Sequence, residues 1–433
     1  MKKVFLSIAF LTIALIGQAQ KANIQSVINY LKTNEIAEAK KLIDETVLNE
    51  STANNAKAWL LKAVIYQAIG TPKESMPQLI FMLNEKPYAL ELSVANTLQA
   101  STPNANKIAL EAYQKSFSID PKYSKDEILP LVQSMFVLNF NNGITEINDN
   151  KYEAAYKSFG NVVELSKLDA GKIYAGTGMD TNFANAKYYQ GQCAYHLGQV
   201  DNAISLLEEV SKSPYINPVD LYVILAEIYE GKKNDAKWQE NMKLGKSKFP
   251  NDKRLVNSEI NYYLNSGKSE ELIAKLKEGI ALEPKKTELY IILGQTYCNI
   301  ANSIRATKPA NVKELEQNAL AQYNKVIELE PNNYYGLFNI GVLYNNQAKE
   351  FIDEMNNETD DKKYMAMKPK KDELLAKCVP FLEKAKTSIE AEQINDSNKD
   401  IYKQVLTGLL QTYKITGKSE KATAIQALMN KTK

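Results

Sequence analysis

Histidine is almost missing from this chain: His196 stands alone among 433 residues. No pair of ligand-type residues flanks it at metal spacing, which excludes a His-based metal site, triad or dyad. Cysteine is scarce as well. Cys193, Cys298 and Cys378 are odd in number and lie 105 and 80 residues apart, so a disulfide-stapled fold is not indicated and each thiol is expected as a small buried side chain. Charge of one sign is lacking. Against 51 acidic residues stand 53 basic ones, two of them Lys2 and Lys3, and once residues 1–19 are removed the balance is even. Nothing in it pulls toward nucleic acid or anionic lipid.

Long hydrophobic runs are also absent, apart from Val4 to Gly17 in "MKKVFLSIAFLTIALIGQAQ". That run is shorter than the roughly 20 residues that span a bilayer. Two lysines before it and the small residues Gly17 and Ala19 after it give the layout of a signal peptide, residues 1–19, cleaved after Ala19. No cysteine follows for a lipid anchor. Gly-Lys-Ser occurs at Gly245, Gly267 and Gly417, but Glu240, Tyr262 and Thr412 stand where a phosphate loop needs its earlier glycine. With no segment large enough for a separate catalytic domain, the chain is expected not to be an enzyme and to use no cofactor or metal.

What is present is a repeat. The chain is 44% hydrophobic and 24% charged, too long for one compact core, so several domains or an array is expected. Pro250 and Pro284 are 34 residues apart, as are Pro87 and Pro121, and Ser75 and Ala109. Between such prolines each stretch splits into two amphipathic halves around a polar turn. Within them recur a small residue, a Tyr three later, then a second small residue and an aromatic or leucine. Gly294, Tyr297, Ala319, Tyr323 and Pro331 fit, as do Gly341, Tyr344, Cys378, Leu382 and Ala385; Ala226, Tyr229 and Pro250; Gly191, Ala203 and Leu207; and Gly143, Ala155 and Phe159.

This pattern resembles the tetratricopeptide repeat (TPR), a helix-turn-helix unit. The resemblance implies an all-α, right-handed α-solenoid of about ten such units. It also explains glycine inside helices, where each costs about 1 kcal/mol relative to alanine. Gly143, Gly191, Gly294 and Gly341 occupy the slot where two helices of a unit cross too closely for a larger side chain. Gly336, near a helix start, is expected to cost little.

The units divide into an N-terminal array at 20–169, a Gly-rich loop at 170–183 and a C-terminal array at 184–433. In "AKAWLLKAVIYQAIGTPKESMPQLIFMLNEKP" a first helix carries Trp59, Ala63 and Tyr66, and Ser75, Leu79 and Met82 are read as a second. The next unit, 90–123, departs from the pattern at Thr97 and Ala100. Two consecutive units, 287–333 and 334–391, exceed the period and are expected to carry extended helical hairpins side by side, the second broken from Asn356 to Lys371.

In TPR proteins the first helix of each unit lines a concave groove that holds peptides or partner helices. On that resemblance the groove residues are Tyr188, Gln192, Tyr195, Asn257, Asn261, Asn265, Gln295, Asn299, Phe338, Val342 and Asn345. A clamp for a terminal carboxylate is not expected, since Leu60, Val223, Asn257, Ile291 and Phe338 fill its slots. The N-terminal segment is similar to those of exported proteins of Gram-negative Bacteroidota, which implies the periplasm. A non-catalytic protein-binding scaffold of the cell envelope is therefore expected, with no nucleic acid bound and no transmembrane segment in the mature chain. The alternative is a glycan-binding surface protein of the repeat-built starch-binding type, from which this chain differs in lacking the lipid-anchored cysteine.

Overall fold

The computed structural model describes residues 23–431, apart from 51, 84, 122–124, 169–172, 175, 176, 306 and 308. The expected signal peptide, residues 1–19, lies outside them. The chain forms two compact regions, Met1–Asn241 and Met242–Lys433.

In the first region, α1 (residues 23–32) is followed by α2 (Ile36–Leu48), α3 (Ala56–Gly70), β1 (Gln78–Leu83), β2 (Lys86–Glu91), α4 (Leu92–Ala95) and α5 (Ala105–Ile119). Then come α6 (Lys125–Asn148), α7 (Tyr152–Leu165), α8 (Met179–His196), α9 (Val200–Ser211), α10 (Val219–Gly231) and α11 (Asp235–Lys248), within which the two regions divide. The second region continues with α12 (Lys253–Ser266), α13 (Ser269–Leu282), α14 (Thr287–Ile304), α15 (Pro309–Leu329), α16 (Tyr334–Asn357), α17 (Asp361–Ala391), α18 (Lys399–Ile415) and α19 (Ser419–Lys431). Within each region consecutive helices pair and each pair packs on the next, the architecture of an α-solenoid, interrupted among the described residues by one β-hairpin.

Most pairs close through one residue of left-handed backbone: Asn34, Asn150, Gly198, Lys233, Gly267 and Gly417, with φ between 54° and 71°. Two of the Gly-Lys-Ser segments are therefore turns, at Gly267 and Gly417. Within pairs the small-residue slot is a close crossing. A Cβ on Gly294 would stand 2.4 Å from the Tyr323 ring, on Gly143 2.7 Å from Phe159, on Gly191 2.8 Å from Leu207 and on Gly341 2.6 Å from Leu382. Gly336 turns out to matter as well, since its Cβ would meet Val326 of α15 at 2.7 Å. That contact joins one pair to the next.

The stretch read as a second helix at Ser75, Leu79 and Met82 is instead the antiparallel hairpin β1–β2, with Leu79 opposite Leu90 and Phe81 opposite Tyr88. The run "QLIFML" buries Leu79, Phe81 and Leu83 and exposes Ile80, a period of two that its continuous apolar character concealed. Pro77 and Pro87 flank or enter it, where a helix would lose backbone bonds. The partner of α3 is then α5: Ser116 Oγ donates to the Ala56 carbonyl at 2.8 Å, and Tyr113 OH donates to Gln67. The two units expected at 56–89 and 90–123 are one helix pair with a 34-residue insertion, residues 71–104, between its halves. The 34-residue spacing of Ser75 and Ala109 is thus an accident of that insertion.

Two further boundaries move. Helix α8 begins at Met179, inside the stretch read as a loop at 170–183, because Met179 and Phe183 are buried (5% and 7% exposed); α7 packs on α8 across it, so the stacking is not broken there. The break expected from Asn356 to Lys371 shrinks to Glu358–Asp360. Asp360 caps α17 by accepting from the Lys362 and Lys363 amides at 2.9 and 3.0 Å, and the lysines beyond are good helix formers.

Candidate functional site

The first helices of the C-terminal region carry amides in rows. Asn257, Asn261 and Asn265 follow one another at intervals of four on α12, as do Gln295 and Asn299 on α14, which puts each row on one helix face. Asn261, Asn265, Gln295 and Asn299 are exposed and Asn257 is half-buried. Asn257, Asn261, Gln295 and Asn299 make no side-chain hydrogen bond to another described residue. Each offers a donor and an acceptor to whatever lies on the face. On α16, Phe338, Val342 and Asn345 are half-buried, and Phe338 packs against the cluster formed by α17 and α18. Helix α14 touches α16, and α16 touches α18. At one end of this surface lies a cleft of about 500 Å³ lined by Ile291, Asn332, Tyr334, Tyr335 and Glu392 among others.

In the N-terminal region the expected row on α8 is less open. Tyr188 is buried (6% exposed) with its ring tilted against Tyr189, so it does not face a ligand. Gln192 and Tyr195 are half-buried. Tyr195 donates to a Glu227 carboxylate oxygen at 2.7 Å, and burial first, then that carboxylate, pushes its phenol up to about 12.

The enlarged hairpins stand together. Helix α16 has 24 residues against 14 in α12, ten more, which lengthens it by about 15 Å at 1.5 Å per residue. Arg305, just past α14, binds Glu316 of α15 at 2.8 Å and pairs with Glu350 of α16. Gln347 donates to the other oxygen of Glu316 at 2.8 Å. Glu316 is buried, so these partners keep its charge from being stranded. Three helices are tied together where α14 ends, partway along α16. At the far end Tyr364 and Met365 are exposed, beside Lys362 and Lys363.

Sequence reasoning missed a recurring clasp between successive pairs. Tyr66 donates to Asp44, Tyr229 to Glu208 and Tyr413 to Glu383, each from a first helix to the second helix before it. A lysine completes each: Lys62 on Asp44, Lys237 on Glu208, Lys421 on Glu383. An acid 21 or 22 residues ahead of the repeat's tyrosine was the available signal in the first two. Burial pushes the Cys193 and Cys378 thiols up to about 11, and raises that of Cys298 too, although Cys298 is half-buried where a buried side chain is expected. Among the described residues no three His, Cys, Asp or Glu side chains converge to hold a metal, and no helix is long and apolar enough to cross a membrane.

No protein-family model matches the sequence, and no curated protein does. Solved structures similar to it include the C-terminal part of a TPR repeat-containing protein from Cytophaga hutchinsonii, at 16% identity and a TM-score of 0.49 over 67% of this chain and 93% of that one. YrrB, described as a TPR protein with an unusual peptide-binding site, is 16% identical with a TM-score of 0.33, over 53% of this chain and 97% of its own. MamA from Desulfovibrio magneticus is 16% identical with a TM-score of 0.34, over 46% and 97%. The architecture itself rests on the chain's own helix pairing.

Proposed function

We propose that this protein is an exported, non-catalytic scaffold that holds a protein partner in extended or helical form against the first helices of its C-terminal region, with the twin hairpins as a second contact. The observation that carries the reading is the set of amides Asn261, Gln295 and Asn299 on α12 and α14, exposed and making no side-chain hydrogen bond to another described residue, with half-buried Asn257 beside them. Such amides pair with a bound main chain, while Tyr334 and Tyr335 at the edge supply aromatic contact area of the kind enriched at recognition surfaces. Residues 1–19 motivate the periplasmic location, and fusion of those residues to a reporter active only after export tests it: an inactive fusion removes the envelope from the proposal.

The binding face is tested by placing a photo-crosslinking residue at Asn261 or Asn299, and separately at Lys277 on a second helix, in cells. The expected result is a defined protein adduct at the first two positions, lost when Asn257 and Gln295 are replaced by alanine. Adducts of equal yield at Lys277, or none at Asn261 and Asn299, reject the groove.

A further inference from the structure

The N-terminal region holds a polar cleft that the scaffold reading does not use. Helices α7 and α9, the second helices of successive pairs, leave a trough between them with α8 along its floor. Its first compartment, about 640 Å³, is lined by Tyr156, Glu164, Gln190, Asn202 and Ser205 among others. A second, about 340 Å³, is lined by Tyr174, Asp180, Lys212, Ser213 and Tyr215. They share Ser166, Lys187 and Glu209, so one trough runs under the Lys187–Glu209 ion pair.

Gln190 is the unusual member. It is 9% exposed, its amide nitrogen lies 2.8 Å from where a Cβ on Gly160 would stand, and it makes no side-chain hydrogen bond to a described residue. Its remaining exposure opens into the first compartment. It offers a donor and an acceptor in one plane, with Asn202 and Ser205 on the wall above.

The charges point away from an ionic ligand. Lys167 is paired with Glu164 and Lys187 with Glu209. Asp180 and Lys212 add one charge of each sign. The apolar lining is mostly closed, with Val163, Phe183 and Val210 at 8%, 7% and 1% exposure, so a peptide finds few of the open apolar anchors that dominate such docking. Two tyrosines, half-buried Tyr156 and exposed Tyr215, line opposite compartments and leave aromatic surface open to them.

We propose that this trough binds a neutral oligosaccharide: vicinal hydroxyls take the donor and acceptor of Gln190, and the apolar faces of sugar rings lie on Tyr156 and Tyr215. The proposal goes beyond the scaffold reading and involves none of its residues.

The test is calorimetric titration of the purified protein with malto-, cello- and chito-hexaose, beside a capped neutral peptide mixture. One of the sugars is expected to bind. Gln190→Leu is expected to weaken it at least about tenfold while leaving the thermal midpoint in place, since the amide bonds no described residue. Tyr215→Ala is expected to weaken it severalfold and Asn261→Ala not at all. Failure of all three sugars to bind overturns the proposal, as does undiminished binding by Gln190→Leu, or peptide binding that Gln190→Leu abolishes in place of sugar binding.

Discussion

Two three-helix junctions, one in each region, do the same structural work with opposite chemistry. In the N-terminal region Gln67 of α3 is 1% exposed; its amide donates to the Leu131 carbonyl of α6 at 3.1 Å and to Ser134 at 2.9 Å, and its oxygen accepts from Tyr113 of α5. In the C-terminal region Lys246 of α11, Glu259 of α12, and Lys275 and Glu278 of α13 form a closed ring of alternating charge with contacts of 2.8 to 3.0 Å. The neutral junction sits inside one apolar cluster that runs from Ile24 to Cys193. The charged ring lies beside a smaller cluster around Val256, Leu276 and Tyr323, with its lysines 21% to 24% exposed. A fully dry junction favours neutral partners, since burying charge is costly even when paired. A half-wet one accepts ions and inherits their sensitivity to salt and pH.

The largest effect that separates the two is Gln67→Ala. It strands the Tyr113 hydroxyl, which is fully buried, and opens a cavity, for a cost of about 3–4 kcal/mol in urea unfolding; the cost is expected to be the same at low and high salt. Glu259→Gln is expected to cost less, about 1–3 kcal/mol at low ionic strength, and to shrink severalfold in strong salt as the two lysines are screened. An equal salt dependence in both variants breaks the comparison.

Acid sharpens it further, with the smallest effect. Burial pushes the Glu278 carboxyl up, but Lys246 and Lys275 more than reverse this and hold it below the usual 4.5. A depressed carboxyl contributes stability above its unfolded value and loses it as pH falls through the folded one, so the ring weakens below about pH 4.5. Lys275 has the opposite sign: burial opposes its charge, Glu278 and Glu259 overcome that, and its contribution is kept up to 10.5 and lost as pH rises beyond. Hydrogen exchange of α11–α13 is expected to quicken at both extremes, while amides of α3 and α5 stay protected.

How much of this was readable in the sequence follows from the same contrast. The glycine slot at Gly143, Gly191, Gly294 and Gly341 was legible because a helix interior gives glycine no other reason to be there, and the consecutive surplus at 287–391 was legible as length alone. The hairpin β1–β2 was not: five consecutive apolar residues from Leu79 to Leu83 satisfy a helical and an alternating period equally, and a coincidental 34-residue spacing favoured the wrong one. Tyr188 was misplaced because a repeat position fixes the helix that carries a residue but not which neighbour covers it. Gln190 escaped notice for the reverse reason. It adjoins the slot glycine Gly191, and only the gap between α7 and α9 shows that its amide bonds no described residue and opens to the cleft.

Helix pairs cross where a side chain does not fit, and thermal and urea unfolding of Gly294→Ala beside Gly231→Ala tests that most directly. Gly231 has open space around it, so its replacement should be neutral or gain up to about 1 kcal/mol from helix propensity. At Gly294 the new methyl meets the rigid Tyr323 ring, and a loss of about 2 kcal/mol or more is predicted. Equal stability of the two variants would contradict the close crossing, and with it the stacked repeat that presents the binding face.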